Sequence, residues 1–183
     1  MDSEKFKDIY RVKSARYVLH KYNMGEYFIT ICTSNRRQYF GHIGRNKNFE
    51  LEMCLSEIGR VVDDNIRNIS LHHPYAHIPA YVIMPNHIHL VVIINDIGET
   101  EQAPSLQVMD TEKHDISLQK GKLSCTIGSM KSAVTKYANE HKIPFGWHSR
   151  FHDHVIRSQN EMDAIVSYIG HNVVNWGIDE YNS

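Results

Sequence analysis

Residues 81–94 read YVIMPNHIHLVVII, an apolar run rich in Val and Ile, broken by Pro85-Asn86 and then by His87 and His89 with one isoleucine between them. In a strand alternate side chains share a face, so the two imidazoles project together while Ile88 turns the other way, into a core. Two imidazoles so placed can reach one metal ion. The same pattern arises when a half-exposed strand simply carries two histidines, and with 13 histidines in the chain a single one says little. His152-Asp153-His154 repeats the spacing with an aspartate in the middle, a poor residue for a core, and reads as structural or as a surface contact to a ligand, not as a metal site. His72-His73 reads as a solvated helix end.

A second group lies further along. Tyr137 is the one tyrosine in 123–141, and His141 follows at i+4 on the same helical face. Met130, Val134, Tyr137 and His141 also form a stripe at helical spacing, which is the usual mark of a core-facing surface. Near residue 37, Arg36 and Arg37 sit beside Tyr39 and Phe40, charge next to rings, which suits unstacked bases and equally suits a solvated strand end.

The elements that must position these residues are legible from periodicity. EYFITICTS (26–34) is β-branched and aromatic and predicts a strand. FELEM (49–53) alternates as a short strand. Residues 56–70 carry Ile58, Val61, Val62, Ile66 and Ile69 at helical spacing, with Ser56 as N-cap. Residues 77–84 and 87–94 read as two strands joined tightly at Pro85-Asn86, because a proline inside one strand would lose a ladder hydrogen bond. Residues 95–122 lose all periodicity, and a helix follows over 123–141. A strand is expected at 151–158 and a helix at 160–174 with Asn160 as N-cap. Interspersed strands and helices with an antiparallel pair predict an α+β fold: one antiparallel sheet with helices packed on one face, in a ferredoxin-like arrangement.

The chain has 183 residues, enough for a single domain spanning 1–183, and is 42% hydrophobic and 22% charged. No apolar run reaches the roughly 20 residues that span a bilayer. The polar start, MDSEKFKDIYRVKSARY, does not read as a secretory signal. Three widely spaced cysteines, Cys32, Cys54 and Cys125, suggest neither a disulfide framework nor a metal cage, and a cytoplasmic location is expected. A formal charge of −1 argues against bulk nonspecific duplex binding, though not against a local basic groove.

His87-Ile88-His89 on a Val/Ile strand, preceded by Met84-Pro85-Asn86, resembles the HUH motif of the single-tyrosine transposases, among them the REP-associated tyrosine transposases. YFITICT with Arg36 and Arg37 before Tyr39-Phe40-Gly41, GSMKSAVTKY (128–137), RFHDHVIRS and YIGHNVVNW are similar to further parts of that family, so the likeness runs from about residue 25 to 177 and omits the 95–122 connection. The resemblance implies an enzyme, a DNA transposase that cuts and rejoins single-stranded DNA at hairpin-marked ends through a 5′-phosphotyrosine. It implies a nucleophile on the helix after the HUH strand, hence Tyr137, and a third metal ligand at i+4, hence His141 beside His87 and His89. It further implies Mg²⁺ or Mn²⁺ as cofactor and either a monomer or a homodimer; Arg36, Arg37, Tyr39, Lys131 and Arg150 are the residues of this chain read as candidate DNA contacts. A domesticated, non-cleaving hairpin-DNA-binding protein of the same fold is the alternative. The chain departs from the family's pattern at Asn172-Val173, where Asn-Pro is common, and at Trp147-His148, where Trp-Gln is common.

Overall fold

A computed structural model describes residues 5–6, 9–10, 24–95 and 121–182. The expected connection at 95–122 therefore lies outside the described residues apart from its ends, and so does most of the basic N-terminal stretch. Two short strands, β1 (Lys5–Phe6) and β2 (Ile9–Tyr10), pair with each other. The central sheet has four strands: β3 (Gly25–Cys32), β6 (Ala76–Ile83), β7 (His87–Ile94) and β8 (His152–Ile156). Their order is β6-β7-β3-β8, with every neighbouring pair antiparallel. Between β3 and β6 come a hairpin, β4 (Gly41–Arg45) with β5 (Leu51–Leu55), and the helices α1 (Glu57–Arg67) and α2 (Ile69–His72). Helix α3 (Lys122–Glu140) links β7 to β8, and α4 (Gln159–His171) follows β8. Chain order βαββαβ with the first and third sheet strands side by side is the ferredoxin-like arrangement the sequence predicts.

Alternation along the strands divides the interior in two. Tyr27, Ile29 and Ile31 of β3 and Ile88, Leu90, Val92 and Ile94 of β7 face one side, where Ile58, Val62 and Ile66 of α1 and Leu123, Ile127, Met130 and Val134 of α3 close the main core. Phe28, Val91, Ile93, Ala80 and Val82 face the other side, against Met162, Ile165 and Ile169 of α4. Helices therefore cover both faces of the sheet, not one as the sequence suggested. The crossover helices α1 and α3 lie on the same side because both strand crossovers share one hand. Only the helix after the last strand is free to reach the opposite side.

Local rules place the ends of these elements. Ser56 caps α1 by accepting a hydrogen bond from the Gly59 amide at 3.0 Å. Helix α4 is capped by Ser158, which accepts from the Glu161 amide at 3.3 Å, two residues before the expected Asn160. Gly59 is required by packing, since a Cβ there would overlap the Phe40 carbonyl oxygen where α1 lies against the chain. The β6–β7 turn is closed by the Met84 amide donating to the His87 carbonyl at 2.8 Å. Strand β4 was not anticipated, because GHIGR carries too few β-formers to read as a strand without its partner β5. Among the described residues no helix is long and apolar enough to cross a membrane.

Candidate active site

His87 and His89 stand on the same face of β7, their ring centroids 4.6 Å apart. Both are buried, at 0% and 2% exposure. Neighbouring groups decide which nitrogen carries each proton. The Asn86 amide nitrogen donates to the Arg36 and Tyr181 carbonyls at 3.2 and 2.7 Å, so its oxygen, 2.9 Å from His87 Nδ1, can only accept. His87 therefore holds its proton on Nδ1, and Nε2 keeps a lone pair. His89 Nδ1 lies 2.9 Å from the Thr30 hydroxyl on the adjacent strand, and its Nε2 lies 3.2 Å from the Tyr168 hydroxyl. With Nδ1 donating to Thr30, His89 Nε2 accepts from Tyr168. Burial pushes the imidazole of His87 down to about 3, helped by His89 and Arg36, and that of His89 down to about 4. Both rings are neutral at pH 7, the form that ligates metals.

Two further groups come from the C-terminal side of the chain. Tyr168 lies on α4, and burial holds its phenol above the usual value while the Asn172 side chain, four residues on, pulls it back. Asn172 is 2% exposed, and among the described residues neither its Oδ1 nor His87 Nε2 has a hydrogen-bond partner. Phe28 stacks on His89 at 5.2 Å and meets Tyr168 edge-on at 6.1 Å, fixing the angle between them.

Residues 176–182 cover His87. The Tyr181 ring lies 4.6 Å from the His87 ring and Trp176 lies 6.1 Å away, while Asp179 Oδ2 stands 3.9 Å from His87 Nε2. Arg36 ties this segment down by donating to the Glu180 carbonyl at 2.7 Å with its guanidinium 5.1 Å from the Tyr181 ring centre. The Tyr181 phenol is pushed up to about 12, mainly by burial.

The other expected site residues fall elsewhere. Tyr137 and His141 do come together, their rings stacked 3.9 Å apart, but on α3. That helix packs on the Ile88/Leu90 face of the sheet, opposite the two histidines. The Tyr137 hydroxyl donates to Glu57 Oε1 at 2.8 Å, and His141 Nδ1 accompanies the Tyr137 carbonyl at 2.9 Å as the helix ends. The expected convergence of Tyr137, His87, His89 and His141 within one chain is therefore not what the fold builds: the sheet separates the two pairs. Among the described residues no three His, Cys, Asp or Glu side chains gather as a metal cage. Instead the groups that stand by the two Nε2 atoms are the Tyr168 phenol, 3.2 Å from His89, and the Asp179 carboxylate, 3.9 Å from His87.

The expected DNA contacts lie on neighbouring segments: the Ser34 amide donates to the Gly146 carbonyl at 2.8 Å and the His148 amide to the Cys32 carbonyl at 2.9 Å, which brings the 33–37 loop beside 146–150. Arg36 and Arg37 are exposed, Arg36 at the edge of the histidine site. Tyr39 is half-buried and meets Phe145 edge-on at 5.3 Å, while Phe40 is fully buried, so the Phe40 ring is not free to stack on a base. Lys131 lies on α3, half-buried, its ammonium donating to the His148 carbonyl at 2.8 Å and lying 5.8 Å from the Trp147 ring centre. Arg150 is exposed in the loop before β8. His154 pairs with Glu161 Oε1 at 2.6 Å, which agrees with a structural reading of the second His-x-His.

The missed residues were visible in one stretch. YIGHN places Tyr168 and Asn172 at the same i, i+4 spacing as Tyr137 and His141. What the spacing alone does not carry is the side of the sheet on which a helix lands.

No protein-family profile matches the chain. An uncharacterized protein of Haemophilus influenzae is 34% identical over 179 residues, covering 94% of this chain and 93% of its own. The structure of a REP-associated tyrosine transposase bound to a REP hairpin superposes with a TM-score of 0.52 at 19% identity, covering 91% of this chain and 76% of that one. A Deinococcus radiodurans crystal structure, with a TM-score of 0.38 and 18% identity, is too distant to bear on the fold. The chain belongs to one family with the Haemophilus influenzae protein, and its fold is that of a REP-associated tyrosine transposase.

Proposed function

We propose that the protein is a DNA transposase that cleaves and rejoins single-stranded DNA at hairpin-marked ends, with Tyr168 rather than Tyr137 as its nucleophile and a divalent cation, Mg²⁺ or Mn²⁺, as its cofactor. The observation that carries this reading is the Tyr168 hydroxyl, 3.2 Å from Nε2 of His89 on a face where both histidines are neutral and aligned. The solved neighbour of the same fold, which is bound to a REP hairpin, supports the choice of substrate.

The residues fit a cation. Among the described residues His87 Nε2 and Asn172 Oδ1 are buried without a hydrogen-bond partner, and His89 Nε2 meets the exchangeable Tyr168 hydroxyl. His87 and His89 would hold the ion through Nε2 with Asn172 Oδ1 beside them, and Thr30 and Asn86 orient the rings from behind, as partners of metal-bound histidines commonly do. Two nitrogens with oxygen donors suit Mn²⁺ somewhat better than Mg²⁺. A bound divalent cation would offset phosphate charge and orient the scissile bond.

The chain's own part follows from its protons. Each Nε2 lone pair serves one partner at a time, so the Tyr168 hydroxyl gives up His89 when that ring is a ligand and is then free to face a phosphate. Its oxygen forms a bond to phosphorus, the bond from phosphorus to the 3′ oxygen breaks, and the DNA is left as a 5′-phosphotyrosine and a free 3′-hydroxyl. The phenol's proton and the proton taken by the leaving oxygen balance through solvent. Attack by a different 3′-hydroxyl on the same phosphorus reverses the step and joins a new strand, with no other energy source.

For a strand to enter, the 176–182 segment must lift from His87, breaking the Asn86–Tyr181 and Arg36–Glu180 hydrogen bonds. The complete burial of His87 also favours a second reading, a hairpin-DNA-binding protein of this fold that no longer cuts. One experiment separates the two. The protein is incubated with Mn²⁺ and a library of hairpin-bearing single-stranded oligonucleotides, then run under denaturing conditions. A covalent protein–DNA band is expected; a protein that binds metal and hairpins yet gives no band across the library is the non-cleaving one.

A further inference from the structure

Next to Tyr168 opens a cavity of about 370 Å³ that the phosphoryl chemistry does not use, lined by Phe28, His154, Glu161, Ala164, Ile165 and Tyr168. Its apolar walls are the Phe28 ring on β3 and Ala164 and Ile165 on α4, four and three residues before Tyr168. Its polar edge is built. His154 sits directly opposite Phe28 in the β3–β8 register, and its Nε2 donates to Glu161 Oε1 at 2.6 Å. Glu161 Oε2 accepts the Arg157 amide at 2.8 Å. The hydrogen bonds from His154 and then Arg157 hold the Glu161 carboxyl below its usual range, so this edge presents an ionised group that only accepts.

A phosphate attacked by Tyr168 carries a nucleoside on each side, and an open, mostly apolar pocket that shares the Tyr168 side chain is where one of those bases can go. Bases of a single strand are commonly held by stacking on aromatic side chains and read at their edges by fixed polar groups. The geometry points to a nucleobase pocket, resting on the reading of Tyr168 as nucleophile: the unpaired base flanking the attacked phosphate enters between Phe28 and Ile165, and the Glu161 carboxylate accepts from its exocyclic amine. Adenine, cytosine and guanine carry such a donor and thymine does not, so thymine is the disfavoured base.

Two arms test this. In the first, the Tyr168→Phe protein, which binds without forming a link, is titrated into hairpin-bearing single strands that carry the fluorescent base 2-aminopurine at one unpaired position at a time. At one position the emission should fall at least twofold on binding. Ala164→Trp, at an exposed helix position where it fills the slot, should abolish that fall and weaken binding of the hairpin with its unpaired strand, while the unfolding midpoint stays that of the parent. In the second, the protein with Tyr168 intact is given Mn²⁺ and a pool randomised at that position, and the covalently held strands are sequenced. Thymine should be depleted about tenfold, an expectation from single-base discrimination energies, and Glu161→Gln, whose amide also donates, should restore it towards parity. No fall at any position, or a fall that Ala164→Trp leaves intact, overturns the pocket. A fall removed by Ala164→Trp without any covalent product keeps the pocket and removes the cleavage reading; covalent product without the fall does the reverse.

Discussion

The Tyr168 hydroxyl rests 3.2 Å from His89 Nε2, although 79 positions separate the two residues in the chain. Strand β7 aims His89 away from the main core, and α4, entered only after the last sheet strand, is the helix that lies on that side. Phe28 touches both rings, so the meeting is held by packing as well as by the hydrogen bond. Asn172, on the next turn of the same helix, adds an unpartnered buried oxygen.

The groups behind the histidines should govern metal affinity. Asn86→Ala removes the acceptor for His87 Nδ1, and Thr30→Val removes the partner of His89 Nδ1. Titration calorimetry with Mn²⁺ is expected to show each substitution weakening binding by about 10–100-fold, the usual effect of losing such a partner. Unchanged affinity in both variants would show that the ion binds elsewhere.

Stability of the metal-free protein should fall as pH drops from neutrality. His87 and His89 are lowered from 6.5 to about 3 and about 4, so below pH 6.5 the unfolded chain binds protons that the folded one refuses. Stability from this source is fully present above pH 6.5 and declines on acidification until the folded values are reached. Each histidine adds a slope of about 1 kcal/mol per pH unit in that window. Urea midpoints between pH 7.5 and 5 should move less in a His87→Gln, His89→Gln double variant than in the parent; equal slopes would contradict the assignment.

Two glycines should respond in opposite senses to alanine. At Gly59 the new methyl would overlap the Phe40 carbonyl oxygen, and Gly59→Ala is expected to cost about 1–3 kcal/mol. At Gly128, inside α3, none of the described residues lies within 4 Å of the added Cβ, and Gly128→Ala is expected to stabilise by about 1 kcal/mol. Thermal unfolding of the two variants beside the parent checks both signs.

Much of the scaffold was readable because its signals are local. Period-2 alternation in 87–94 put both histidines on one face and Ile88 on the other, and the β7 pairings bear this out. The Ser56 cap and the Pro85-Asn86 turn were likewise written in short stretches. Which tyrosine meets the histidines within one chain depends on topology: Tyr137 is the nearer tyrosine in sequence, yet both crossover helices lie on the Ile88 side, so α3 and the histidine pair stand on opposite faces of the sheet. The stripe of Met130, Val134 and Tyr137 proved to be the packing surface that helical spacing usually signals, with Met130 and Val134 in the main core. Nothing local marks residues 176–182 as a cover for His87, since that role rests on Arg36 and Asn86, more than ninety positions away.

The most direct measurement is to isolate the covalent protein–DNA product formed with Mn²⁺, digest it, and identify the modified tyrosine by mass spectrometry. The account predicts a nucleotide on the peptide containing Tyr168, loss of the product in Tyr168→Phe, and its retention in Tyr137→Phe. A nucleotide on Tyr137 or Tyr181, or full product from the Tyr168→Phe protein, would contradict it.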